Sequence, residues 1–353
     1  MKRVTESKRP TFGRPIKPLV LAAALAGIGA LSLGLVACGG SDSGTGGGKV
    51  DLVAYSTPQQ AYEEGIIPDF QSTDAGSGVE FSTSFGSSGD QRRAVEAGQP
   101  ADYVGFSLEP DMTSVVEAGI VAPNWKDNQY KGMVTESIVV MMVRPGNPKG
   151  IEDWDDLIRD DVEVIQPNPA TSGGAKWNVM AQYGSQVNAG RSEGQALQFV
   201  ADVFANTTVL DDSARDSLQT FSTGKGDVLI GYENEGIQAK DEGIELEIVY
   251  PTSESTLLIE NPAAVTEKAQ NPEAARAFLD FIWSDAGQKK FADYGYRPVN
   301  DKIAAEYADT FPTPAELFTI ADLGGWATVD SEFFDDSNGK VTEILRNQGA
   351  PLE

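Results

Sequence analysis

Three stretches of this 353-residue chain put small polar residues where they could hold an anion. They are Phe85-Gly86-Ser87-Ser88-Gly89-Asp90-Gln91, Pro169-Ala170-Thr171-Ser172-Gly173-Gly174-Ala175 and Leu210-Asp211-Asp212-Ser213-Ala214-Arg215. Each follows a strand-like apolar run and precedes an amphipathic stretch, so each reads as strand, loop, helix start. The first N–H groups of a helix lack intrahelical partners, and the helix dipole places partial positive charge behind them. Such an end can bind an anion without any cation. Glycine lets the backbone approach closely, and serine adds a hydroxyl donor. Taken singly, each loop is more simply an ordinary N-cap, a position that favours Ser, Asp and Gly in any case. Neither glycine-rich loop ends in Gly-Lys-Ser/Thr or forms Gly-x-Gly-x-x-Gly after the right strand, which argues against ATP and dinucleotides.

Other chemistries are poorly supplied. The chain has no histidine, hence neither the commonest general base nor the commonest metal ligand, and its one cysteine, Cys38, excludes an internal disulfide. A hydrolase would have to work with carboxylates such as Asp211 and Asp212. Among 53 acidic residues such neighbours arise by chance, and they usually lie on a solvated turn. No catalytic residue, cofactor or metal is expected. A net charge of −26 leaves no basic face for nucleic acid.

The elements that must position the loops alternate in type. Strands are predicted at Val50–Tyr55, Val79–Phe85, Ala101–Phe106, Ile138–Val143, Val162–Ile165, Asp227–Gly231 and Leu246–Tyr250. Helices are predicted at 61–70, 91–97, 112–118, 175–183, 194–205, 272–284 and 286–294. Strand and helix in alternation indicate an α/β fold whose largely parallel sheets are covered on both faces. No internal repeat is visible.

The N-terminus sets the compartment. Residues 1–17 carry six cations against one anion, residues 19–37 are apolar or small, and Leu35-Val36-Ala37-Cys38 follows. A basic segment, an apolar segment and small residues at a cleavage point make an export signal. An uncleaved anchor is the alternative, since the apolar segment approaches the length of a short membrane span. Leu-Val-Ala-Cys resembles the bacterial lipobox, which makes Cys38 the expected lipidation site. Ser41–Gly48 has the composition of a flexible tether. Cleavage before Cys38 would leave 316 residues, enough for two lobes, with a net charge of −31 because the removed segment carries +5.

Beyond these local features, the chain resembles the bacterial sulfate- and thiosulfate-binding proteins, the substrate-binding components of sulfate ABC importers, over roughly Leu52–Leu345. The most specific stretch is Val143-Arg144-Pro145-Gly146-Asn147-Pro148-Lys149-Gly150, Asp153-Trp154-Asp155-Asp156-Leu157 and Gln166-Pro167-Asn168-Pro169-Ala170-Thr171-Ser172-Gly173-Gly174-Ala175-Lys176-Trp177-Asn178. Family members read VRKGNPKGI, DWDDL and TPNPKTSGGARWN there. Gly226–Glu235, Leu317-Phe318-Thr319-Ile320 and Gly324-Gly325-Trp326 extend the match. The resemblance implies a two-lobed periplasmic-binding-protein-like fold of type II, with a hinge of crossing strands and the anion sealed between the lobes. The implied division is a signal peptide 1–37, a tether 38–49, lobe I from 50–137 plus 258–353, and lobe II from 138–257. The second crossing is expected at Leu246–Tyr250.

The resemblance also implies a pocket. Ser88 takes the place of a donor serine, Ser172, Gly173 and Gly174 form the SGGA loop, and Ala214 stands where an alanine N–H donates. Ser56 replaces an aspartate that gives only its backbone N–H, and Tyr232 replaces a tryptophan whose indole N–H reaches the ligand. Asp90 stands where the family usually has lysine and is expected to be a solvated helix-start charge. The implied partners are sulfate or a related oxyanion (thiosulfate, a sulfonate, molybdate, phosphate), an ABC permease, and the membrane through the lipid; the protein is expected to be an exported monomer anchored at the outer face of the membrane. A surface protein that senses an anion fits the same sequence. If Cys38 carries the lipid, Cys38→Ala abolishes incorporation of radiolabelled fatty acid and releases or stalls the precursor. Membrane-extracted protein with an unmodified Cys38 by mass spectrometry contradicts this.

Overall fold

The computed structural model describes residues 47–252 and 255–352; Cys38 and the export signal lie outside the described residues. Among the described residues ten strands are hydrogen-bonded together, eight of them in a continuous path. They are β1 (Lys49–Tyr55), β2 (Glu80–Gly86), β3 (Tyr103–Gly105), β4 (Met133–Val143), β5 (Val164–Pro167), β6 (Thr207–Asp211), β7 (Val228–Tyr232), β8 (Glu247–Val249), β9 (Thr256–Val265) and β10 (Leu317–Phe318). The order is β2-β1-β3-β9-β4-β7-β5-β6, with β8 on β4 and β10 on β9. Strands β1, β2 and β3 pair in parallel, as do β5, β6 and β7, whereas β4 and β9 run antiparallel to each other, β4 antiparallel to β7 and β8, and β9 antiparallel to β3 but parallel to β10. Strands β5 and β7 are buried along their whole length, which explains their unbroken apolar runs.

Two strands carry the path from one half to the other. The first part of β4, up to Ile138, pairs with β9, and the part from Val139 onward pairs with β7. In turn β9 pairs with β4 through Leu258–Pro262 and with β3 through Ala263–Val265. The apolar run Ile138–Val143 is therefore only the second half of an 11-residue strand. The return crossing is not Leu246–Tyr250, which yields just the three-residue edge strand β8 on Met141–Val143. It is β9, disguised in the sequence by Glu260-Asn261-Pro262; Pro262, which has no N–H to give, sits where the pairing with β4 is interrupted between Met133 and Thr135.

Each half has its own core. Val50, Leu52, Tyr62, Phe70, Tyr103, Phe278 and Phe291 belong to one, with Val53, Val104, Phe106 and Met112 on the opposite face of the same strands. Val139, Met141, Trp154, Trp177 and Ile230 belong to the other, backed by Val140, Met142, Ile165 and Phe221. The C-terminal segment from Phe318 to Leu345, assigned from sequence to the first half, buries its apolar side chains in the second core. The Trp326 ring meets Trp177 edge-on at 4.6 Å, Phe333 meets Tyr183 at 4.8 Å, and Phe318 fills the space that a side chain at Gly184 would need. Helical periodicity shows that this segment has an apolar face but not which core it covers.

The crossing strands hold an unusual pair. Glu136 on β4 stands directly opposite Glu260 on β9. Burial, and then the Glu260 charge, push the Glu136 carboxyl up to about 7, against the pull of Arg297. Burial also raises Glu260. A carboxyl raised on folding holds its proton in the folded chain between about pH 4.5 and 7, where the unfolded chain has released it, so stability falls as pH rises through that window. Glu136→Gln removes that loss. The ligand-free variant should melt about 2–4 °C above wild type at pH 8 and within about 1 °C of it at pH 4.5 by calorimetry. An equal shift at both pH values contradicts the assignment.

Candidate functional site

The three loops do become three helix starts, each at the carboxyl end of a strand. After β2, Ser87 is extended and begins the helix Ser88–Glu96. After β5, Ser172 caps the helix Gly173–Asn188, its Oγ accepting the Ala175 N–H. After β6, Ser213 caps the helix Ala214–Ser222, its Oγ accepting the Asp216 N–H at 3.2 Å. A fourth start follows β7, where Tyr232 precedes the helix Glu233–Asp241. Switch points at the carboxyl ends of strands are where open α/β sheets place ligands.

The loops meet. A Cβ placed on Gly174 would stand 3.4 Å from Ala214 Cβ, 3.4 Å from Ser172 Oγ and 3.5 Å from Tyr232 Cε1. The Thr171 hydroxyl donates to the Asp212 carbonyl at 2.9 Å, tying the second loop to the third. The Thr171 carbonyl lies 3.1 Å from the Cβ position of Gly89, which brings in the first loop. Ser172, Gly173, Gly174, Ala214, Tyr232 and Ser88 are all buried, and Ser56 is half-buried at the end of β1. Its neighbour Tyr55 lies close enough to Tyr232 and Glu235 for their charges to be felt.

Individual side chains refine the expectation. The Ser88 hydroxyl donates to Asp111 Oδ2 at 2.6 Å and accepts the Ser107 N–H at 3.0 Å. To serve an anion it must turn from Asp111. Asp90 is exposed, accepts the Ser87 hydroxyl and pairs with Arg93, so it is not aimed between the two halves. Asp211, half-buried at the end of β6, accepts from Ser217 and Thr220 of the following helix, and Asp212 is exposed.

Tyr232 is fully buried, and its hydroxyl, beside the Asn261 and Ser107 side chains, makes no hydrogen bond of good geometry among the described residues. Burial, with the Glu235 carboxylate close by, raises the phenol well above its usual range, so it stays protonated and able to donate. Glu235 is itself pushed up to about 7 by burial, against the Tyr232 N–H, Arg215 and Thr57, which favour its charged form. The hydroxyls of Tyr55 and Tyr296 are likewise buried without partners. Around one point the chain therefore sets backbone N–H groups and neutral hydroxyls, with the half-buried Arg215 behind them.

Sequence reasoning missed the residues that reach across from β3 and β9. Ser107 is 1% exposed, and its carbonyl accepts both the Trp177 indole N–H at 2.7 Å and the Asn261 amide at 2.9 Å. Its Oγ and the Leu108 side chain lie against Gly173. The signal was available, since Ser107 directly follows a predicted strand, but no glycine marked the turn. Outside, a cavity of about 350 Å³ is lined by Gly89, Arg92, Arg93, Asp111, Gly173 and Lys176 among others. Lys176 is held there by Asp330.

Comparisons with known proteins bear on this arrangement. A family model described as bacterial extracellular solute-binding protein matches residues 50–297. The sulfate-binding protein of Synechococcus elongatus is 39% identical over 316 residues, covering 86% of this chain and 89% of that one. The thiosulfate-binding protein of Pseudomonas aeruginosa is 33% identical over 297 residues, covering 80% and 88%. The solved structure of the sulfate-binding protein SubI from Mycobacterium tuberculosis H37Rv superposes with a TM-score of 0.78 at 43% identity, covering 81% of this chain and 99% of that one. Periplasmic binding proteins at 18% and 19% identity superpose at 0.57 and 0.59, which shows the fold alone.

The two glycines of the second loop make a paired test. A Cβ on Gly173 would fall 1.9 Å from Leu108 Cδ2 and 2.0 Å from Ser107 Oγ, so it wedges the two halves apart. On Gly174 it meets only ordinary contacts. Gly173→Ala should weaken oxyanion binding about 10–100-fold in calorimetric titration, and Gly174→Ala by less than about threefold. Equal effects contradict the packing described.

Proposed function

The chain belongs to the bacterial extracellular solute-binding protein family, and within it to the sulfate- and thiosulfate-binding proteins, and we propose from that membership and from the four helix starts that it captures sulfate for an ABC importer. The observation that carries the reading is that Ser172, Ala214 and Tyr232 surround one small space at Gly174, which a methyl group there would just touch. Sulfate is fully deprotonated at neutral pH, so each of its oxygens asks for donors only. The N–H groups of Ser56, Gly173, Gly174 and Ala214 supply donors that have no competing intrahelical partner. The hydroxyls of Ser88, Ser172 and Tyr232 add three more, Ser88 after turning from Asp111. No bond is made or broken; the work is desolvation and replacement of water by fixed dipoles.

Selectivity follows from the same inventory. Hydrogen phosphate carries one proton and needs an acceptor opposite it. A wall of N–H groups faces that proton with another donor, and an unpaired buried polar group costs about 1–3 kcal/mol. Lipid on Cys38 and the tether of residues 38–49 would hold the binding protein beside its permease. Capture would close the halves as lobes about β4 and β9, with release at the permease reopening them. The protein would work as a monomer, since the pocket draws every group from one chain.

Purified protein titrated with sulfate should bind one anion per chain, with phosphate at least about a hundredfold weaker. The surface is strongly acidic, and charges farther than about 8 Å from the site are screened at physiological salt. The association rate should therefore change less than about threefold when salt is raised tenfold. Absence of sulfate binding overturns the reading. A steep fall of the rate with salt would instead reveal a cationic funnel.

A further inference from the structure

Two buried hydroxyls lie beside each other from opposite halves, and among the described residues neither makes a hydrogen bond of good geometry. Ser107 Oγ comes from the end of β3 and lies against Gly173; the Tyr232 hydroxyl comes from the end of β7 and lies beside the Ser107 and Asn261 side chains. Both residues are at least 99% buried. A buried hydroxyl without a partner is unfavourable, and such groups mark sites that another molecule completes. The rest of Ser107 is held rigidly. Its N–H is bound to Ser88, and its carbonyl is bound by Trp177 and Asn261, so only the side chain is left to act.

We propose that Ser107 is a further ligand-contacting residue, and that with Tyr232 it forms a hydroxyl corner that sets the preference for sulfate over thiosulfate. This rests on the reading of the cleft as an oxyanion site. Apart from the Ser88 hydroxyl, which is engaged by Asp111, and Ser172 Oγ, which caps its helix, the other donors around the pocket are backbone N–H groups fixed in direction. If one of them faces a terminal sulfur instead of an oxygen, it has nothing else to bond, because sulfur is a weak acceptor. A hydroxyl is different. Its proton rotates freely about the C–O bond, so Ser107 and Tyr232 can bond each other or the Asn261 side chain when the ligand offers them little. Thiosulfate therefore loses least by turning its sulfur to the hydroxyl corner, while its three oxygens keep the N–H groups. Sulfate presents an oxygen there and gains two hydrogen bonds that thiosulfate forgoes. The two anions share charge and near-tetrahedral shape, so this corner carries most of their difference.

The test is calorimetric titration of the purified protein with sodium sulfate and, separately, sodium thiosulfate, for wild type, Ser107→Ala, Tyr232→Phe and the double variant. Wild type should bind sulfate more tightly. Ser107→Ala should weaken sulfate about tenfold and thiosulfate by less than about threefold, with an unchanged ligand-free melting temperature. Tyr232→Phe keeps the ring and should show the same asymmetry. The double variant should lose less for sulfate than the product of the single losses, because both hydroxyls serve one oxygen. Equal losses for both anions, or none for either, overturn the proposal while leaving sulfate capture standing. Wild-type protein that binds neither anion overturns both.

Discussion

An oxyanion leaves water only when its lost hydrogen bonds are replaced, and here the replacements must come without a counter-ion pressed against the charge. The chain answers with backbone. Four helix starts, at Ser88, Gly173, Ala214 and Glu233, are brought to one place by four strand ends. In the proposed site each would bring N–H groups that have no partner inside their own helix, with the positive end of its dipole toward the anion. Neutral hydroxyls fill the gaps. The acidic surface is compatible with this because short-range dipoles decide the outcome inside the cleft, where distant charge is screened.

Convergence of this kind demands tight backbone approach and firm registration of the two halves. A small residue supplies the approach: Gly173 leaves room for Ser107 and Leu108. Registration comes from β4 and β9, which belong to both halves, and from Arg297. Its backbone pairs with Glu136 on β4, and its guanidinium grips the fully buried Glu233 at 2.6 and 2.9 Å. Tyr250 donates to the same carboxylate. Glu233 is adjacent to Tyr232, so a two-pronged ion pair fixes the start of the helix that presents the phenol.

What could be read in the sequence is what local chemistry encodes. A strand, a loop of small or polar residues and an amphipathic stretch are all local features, so three helix starts are legible in the sequence, and the family resemblance implies which of them act together. Long-range facts were not visible. Strand β9 hides behind Glu260-Asn261-Pro262, because a strand that passes between two halves is not uniformly apolar. Ser107 follows a predicted strand, but no glycine marks its turn; its meaning lies in meeting Gly173, Trp177 and Asn261, which are 66, 70 and 154 residues away. The C-terminal segment shows its apolar face in the sequence but not its partner, which Trp177 decides.

The central claim is that backbone N–H groups at helix starts carry the anion. Amide-detected NMR of ¹⁵N-labelled protein titrated with sodium sulfate tests it most directly. The largest downfield amide-proton shifts should fall on Ser56, Gly173, Gly174 and Ala214, with small changes at Arg92, Arg93 and Lys176 at the mouth. Unmoved loop amides, with shifts concentrated at those three cations, would contradict the account.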